Sequence, residues 1–258
     1  AGRNRLAAAG LGALACLGLA VLGAGRRGDV ALEYMKAVGV TGERERKGRA
    51  ASEKEIAANW PQFRGPGSAG RTDLARPPEH WDGAKGESIL WKTPVPLPGE
   101  NSPVVWGDRV FLCGADETRR EVYCFAAGDG KLLWKQAVGS AGGEVPNVFP
   151  DTGFAAPTMA TDGQRVFALF ASGHVAGFDF EGNLRWIRNL GVPVNMYGHA
   201  ASLAVWRDRL IIQYDQGSAP EEGKSALLAL DAATGETKWE TKRPVPNSWS
   251  TPIVIKAE

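Results

Sequence analysis

The side chains able to act as acid, base, nucleophile or metal ligand are few and scattered. The 258 residues include three histidines, His80, His174 and His199, and three cysteines, Cys16, Cys113 and Cys124. No CxxC, CxxCH or zinc-ribbon spacing occurs, so haem attachment and structural zinc are disfavoured. Cys113 and Cys124 flank the polar stretch ADETRREVY, which leaves two readings: a disulfide across a hairpin, or two small buried side chains on adjacent strands. Asp215, Glu221 and Glu222 in YDQGSAPEEG offer the oxygen ligands a hard cation takes. They lack the spacing of a twelve-residue calcium loop and read more simply as an acidic surface turn. His199 lies in NMYGHAAS beside Asn195 and Tyr197, a polar and aromatic cluster suited to acid–base work or ligand binding. The plainer reading is a loop whose His and Tyr satisfy backbone groups. No GxSxG elbow, phosphate-binding Walker loop, HExxH or dinucleotide fingerprint is present.

Composition narrows the class. At 43% hydrophobic and 23% charged residues the chain is globular, and a formal charge of +1 gives no electrostatic reason to bind nucleic acid or an anionic surface. Arg3 and Arg5 precede an uncharged run over residues 6–25, the pattern of an export signal or membrane anchor. The run is long enough to span a bilayer, but its Ala and Gly content makes insertion marginal, so cleaved signal and retained anchor both stand. A short amphipathic helix is expected over residues 29–40, within a polar stalk over 26–59 whose charges alternate in sign.

From Trp60 onward, short bursts of Gly, Pro, aromatic and β-branched residues separated by turn signals indicate an all-β domain, residues 60–258. An internal repeat governs it. Trp91, Trp134, Trp186 and Trp239 recur at steps of 43, 52 and 53, and the last three follow the same hairpin: CFAAGDGKLLW, GFDFEGNLRW and ALDAATGETKW. Apolar strands opened by Arg109, Arg165 and Arg209 recur in phase, too regularly for one active site and better suited to repeated turn packing. Each unit reads as four short antiparallel strands, a propeller blade. The Trp of the fourth strand then fills the space against the neighbouring blade. The innermost strand begins near Ser-Pro or Ala-Pro, which places His199 at a blade junction near the mouth of the central channel.

LDAATGETKW, residues 230–239, resembles the tryptophan-docking motif of the pyrroloquinoline quinone (PQQ)-type propeller repeat, shared by quinoprotein alcohol dehydrogenases and the outer-membrane barrel-assembly lipoprotein. WPQFRGPGSAG, residues 60–70, resembles the leading segment of exported PQQ-like propeller proteins. The resemblance implies a ring of seven or eight blades, of which this chain supplies an arc of about three to four, preceded by an N-terminal hydrophobic helix and incomplete at the C-terminus. It implies one of two site chemistries. A dehydrogenase would bring adjacent cysteines over PQQ, a calcium site, a catalytic Asp and a Trp floor. A scaffold would bring none of these, and the adjacent cysteines do not occur.

The expected protein is therefore an exported, periplasmic or otherwise extracytoplasmic propeller that binds a protein partner of the cell envelope or another ligand on its loop surface or channel mouth, without catalysis. The N-terminal segment would tether it to the membrane if uncleaved. Asn195, Tyr197 and His199 are its candidate channel-mouth site, and Trp91, Trp134, Trp186 and Trp239 dock its blades. The alternatives are a PQQ-dependent dehydrogenase whose active-site residues lie in other blades, with PQQ and calcium as cofactors by resemblance only, and a scaffold for envelope assembly.

Overall fold

The computed structural model describes residues 50–72, 78–139 and 145–255. The apolar run at 6–25, the expected helix at 29–40 and most of the stalk lie outside them. The end of the stalk forms a one-and-a-half-turn helix, Glu53–Ala57, whose N-terminus is closed by a capping box between Ser52 and Glu55. Among the described residues no helix is long and apolar enough to cross a membrane.

The repeat folds as the expected blades. Among the described residues twelve strands form three four-stranded antiparallel sheets, each in simple sequence order. The first holds β1 (Val104–Trp106), β2 (Arg109–Ala115), β3 (Arg120–Ala126) and β4 (Leu132–Ala137). The second holds β5 (Ala160–Thr161), β6 (Arg165–Leu169), β7 (His174–Asp179) and β8 (Leu184–Asn189). The third holds β9 (Ala204–Trp206), β10 (Arg209–Tyr214), β11 (Ala226–Asp231) and β12 (Thr237–Lys242). The all-β, PQQ-like propeller arc predicted from the repeat is thus the observed architecture.

Strand alternation explains how the sheets stack. On β6, Val166 and Ala168 join Val104, Phe111, Val122 and Phe178 in a core between the first two sheets. Their neighbours Phe167 and Leu169 join Leu203, Leu210, Ile212 and Leu230 between the second and third. The middle sheet is therefore buried on both faces, which is why β6 is buried at every position and apolar from Val166 to Leu169.

Small residues make room for the tryptophans. Trp134, Trp186 and Trp239 stand opposite Cys124, Gly177 and Ala229, and in each sheet the register shifts immediately after that pair. The register also rules out the disulfide reading: Cys113 faces Val122, Cys124 faces Phe111, and both thiols are free and buried. Such a diagonal relation separates the backbones by about 7–8 Å, beyond disulfide reach. Cys124 is instead the small residue beneath an indole.

A hydroxyl belt joins the segments that lead into the first strands of successive sheets. The Ser102 N–H donates to Thr158 Oγ1 at 3.0 Å, and the Thr158 N–H donates to Ser202 Oγ at 3.1 Å. Each hydroxyl sits three residues before the matching positions Val105, Thr161 and Val205. The turns that follow need a left-handed residue, supplied by Gly107 (φ 59°), Gly163 (φ 86°) and, in the third sheet, Arg207 (φ 54°).

Candidate functional site

The junction tryptophans share one geometry. The Trp91 indole N–H donates to the Ala127 carbonyl at 2.8 Å, Trp134 to Phe180 at 2.8 Å and Trp186 to Ala232 at 3.0 Å. Each acceptor lies in the turn between the third and fourth strands of the following sheet. A glycine with positive φ in that turn, Gly130, Gly182 or Gly235, lies flat against the indole. Trp186 is 2% exposed, whereas Trp239, on the last described sheet, is 41% exposed. Arg109 reinforces the first junction by donating to the Phe180 carbonyl and approaching Glu181 at 3.5 Å. Arg165 instead forms a buried ion pair with Asp162 at 2.9 Å, and Arg209 donates to the Asp208 carbonyl at 3.1 Å, so the three repeated arginines all pack turns.

At the opposite end of the first strands, the loops between sheets converge. Asn195 Oδ1 accepts the Tyr197 N–H at 2.8 Å and so shapes the loop between β8 and β9. Tyr197 then contacts one ring from each flanking loop: Phe149 at a centroid distance of 5.2 Å, and Trp249 at 4.7 Å edge-on. Phe149 and Trp249 are 48% and 43% exposed, and Val194 and Met196 beside Tyr197 are also exposed. Loops from three consecutive junctions thus build one aromatic surface. The repeat predicted a junction at Tyr197, but Phe149 and Trp249 carried no signal beyond their residue type.

His199 lies beneath that surface, 4% exposed. It stacks on Tyr214 at 4.7 Å, and its Nε2 lies 3.3 Å from the Gly191 carbonyl, which it satisfies as the donor of a neutral imidazole. Burial holds its pKa down to about 4, the Gly191 bond acting in the other direction. The structure therefore brings Asn195, Tyr197 and His199 together in one loop but gives them separate tasks.

Sequence reasoning missed a polar network next to Tyr214. Gln213 Nε2 donates to Ser248 Oγ at 2.8 Å, Ser248 donates to Asp215 Oδ2 at 2.6 Å, and Arg243 pairs with the same oxygen at 2.9 Å. Asp215 Oδ1 is buried with no hydrogen-bond partner among the described residues. Glu222 points elsewhere: its pairing with Lys224, joined by hydrogen bonds accepted from Ser218 and Ala219, lowers its pKa to about 2. The Asp215–Glu222 group is thus divided between two structural roles, and an ion held by Asp215 would sit against the Arg243 guanidinium. Among the described residues no group of three His, Cys, Asp or Glu side chains is placed to hold a metal. The thiols are equally unsuited to a quinone site, since Cys113 and Cys124 are not adjacent. Burial raises their pKa values to about 12 and about 11, which suppresses the reactive thiolate. The donor set of these residues does not fit PQQ with calcium.

Solved structures similar to this chain include BamB from Moraxella catarrhalis, 21% identical, covering 59% of this chain and 42% of that one with a TM-score of 0.42. Quinohemoprotein alcohol dehydrogenase ADHIIG from Pseudomonas putida HK5 is 17% identical, with 75% of this chain and 28% of that chain covered at a TM-score of 0.49. The corresponding enzyme from Comamonas testosteroni is 17% identical, with 83% and 31% covered at 0.46. The chain spans less than half the length of each. No curated protein sequence matches it. A family model described as outer membrane protein assembly factor BamB matches residues 80–254, well over half of the chain, and on that match the protein belongs to this PQQ-like propeller family.

Proposed function

We propose that this chain is a non-catalytic binding module of the cell envelope, exported from the cytoplasm, and that it holds a protein partner on the loop face carrying Phe149, Tyr197 and Trp249. One observation carries the reading. Three rings from three separate loops touch in sequence, and two of them leave almost half their surface open to solvent. Clustered exposed aromatics on rigid loops are the anchors protein interfaces use, and a chain with no partner has little reason to keep them bare. The residues beneath argue against chemistry at this mouth: His199 is buried with Nε2 committed to a backbone carbonyl, so it is withheld from any substrate proton. Family membership supports an assembly or scaffold role, since the matching family bears that description.

The test is a paired pull-down from envelope extract with the full chain and with Tyr197→Ala and Trp249→Ala. A partner captured by the wild type and lost with both variants, while their folds stay intact, is the expected result. An unchanged partner set would move the interface elsewhere. Reduction of an artificial electron acceptor by the full chain with an alcohol, PQQ and calcium would overturn the non-catalytic reading.

A further inference from the structure

Residues 59–62 run across the first strands of all three sheets and bond to a different sheet at each of the last three positions. Trp60 and Val105 exchange backbone hydrogen bonds at 2.9 Å in each direction. The Pro61 carbonyl accepts the Thr161 N–H at 2.8 Å, and Gln62 Oε1 accepts the Val205 N–H at 3.0 Å. Val105, Thr161 and Val205 are equivalent positions: each is three residues beyond its belt hydroxyl and pairs with the second residue of the following strand, Val110, Val166 or Leu210. Their N–H groups lie on the open inner edge of each sheet, where no neighbouring strand can reach them. Three consecutive residues therefore satisfy three repeat-related donors.

The segment is held at both ends. Asn59 Oδ1 accepts the Gly107 N–H at 2.7 Å, while its Nδ2 donates to the Glu55 carbonyl of the preceding helix at 2.7 Å. Beyond Gln62 the chain turns back so that Gly65, at φ 70°, lies on the Trp60 indole. Gln62 Nε2 donates to Ser68 Oγ at 2.9 Å, which fixes the amide with its oxygen toward Val205. Pro61 suits the middle position because it has no N–H to bury and only its carbonyl is used. A cavity of about 220 Å³ remains beside the segment, bounded in part by Thr161, Val205, Arg207 and Val254.

We infer that residues 59–62 form an axial strap, independent of the partner-binding loop face, that fixes the spacing of three blades and occupies their inner edges. A row of open strand-edge donors is a template for an added polypeptide. The chain fills that template from within, so at this end the inner edges of these three blades are closed to an extended peptide.

Native-state amide exchange on the full chain tests the assignment. In the wild type, the Val105, Thr161 and Val205 amides are expected to be protected together. Gln62→Met keeps the side-chain length but removes the acceptor, so it should speed exchange at Val205 about tenfold, the effect of one hydrogen bond. Val105 and Thr161, whose acceptors are backbone carbonyls, should stay slow. The proposal fails if Val205 exchanges identically in wild type and Gln62→Met. It also fails, whatever the variant's stability, if any of the three wild-type amides exchanges like an open strand edge.

Discussion

Gly235 lies so close to the Trp186 indole that a Cβ placed on it would stand 2.6 Å from the ring carbon Cδ2. Because φ at Gly235 is also 72°, the turn needs glycine for two independent reasons. Gly235→Ala should therefore cost roughly 2–4 kcal/mol, combining left-handed strain with displacement of a packed ring. Gly107 provides the control, since its φ is 59° but no atom lies within 4 Å of the added methyl. Gly107→Ala should cost only about 1 kcal/mol in urea unfolding. Equal losses at the two sites would mean that the indole is not held against the turn.

The four repeat tryptophans should not be equivalent in stability. Trp186 is 2% exposed and bonded to Ala232, so Trp186→Ala should cost about 3–5 kcal/mol. Trp239 is 41% exposed, so the same change there should cost less than about 1 kcal/mol in this chain. Differential scanning calorimetry of the two variants decides the point. A large loss at Trp239 would show that its open face is covered in solution.

Much of this architecture was legible because the repeat samples it several times. The Trp steps and the glycine hairpins identified blades, and Arg109, Arg165 and Arg209 each open the second strand as read. The site was less legible, because it depends on what loops from different blades do together. Phe149, Tyr197 and Trp249 are far apart in sequence and meet only once the sheets stack. Gln62 looked like part of a family signature, and its bond to Val205, across 143 residues, has no local pattern to betray it. The spacing of Cys113 and Cys124 allowed either a facing pair or two small buried side chains on adjacent strands, and the register, which sets them two residues out of phase, selects the second.

Arg207 breaks the rule its repeat obeys. At the turn position where Gly107 and Gly163 sit, it adopts φ 54°, with its guanidinium 5.3 Å above the Trp206 ring. An L-residue there carries about 1–2 kcal/mol of strain, partly offset by the greater chain entropy glycine loses on folding. Arg207→Gly should thus raise stability by about 0.5–1 kcal/mol, seen as a higher urea midpoint at unchanged slope. A clear drop instead would show that the stacking on Trp206 outweighs the backbone strain.

His199 sets a pH limit on the fold beneath the aromatic loops. Burial depresses its folded pKa to about 4 from an ordinary 6.5, so the folded chain keeps it neutral where the unfolded chain is already taking up the proton. Above 6.5 it is neutral in both states and its contribution is complete. As pH falls from 6.5 toward 4 the unfolded state binds more protons and stability declines, by up to about 3 kcal/mol for this group. Burial likewise lowers the pKa of His174 to about 4, so it acts in the same window and in the same direction. Urea midpoints at pH about 7.5 and about 5, for the wild type and for His199→Gln, isolate the effect. The glutamine keeps a donor for the Gly191 carbonyl but cannot titrate, so its stability should fall less over that interval. If both proteins lose the same amount, His199 is reached by protons in the folded state and is not sealed beneath Tyr214.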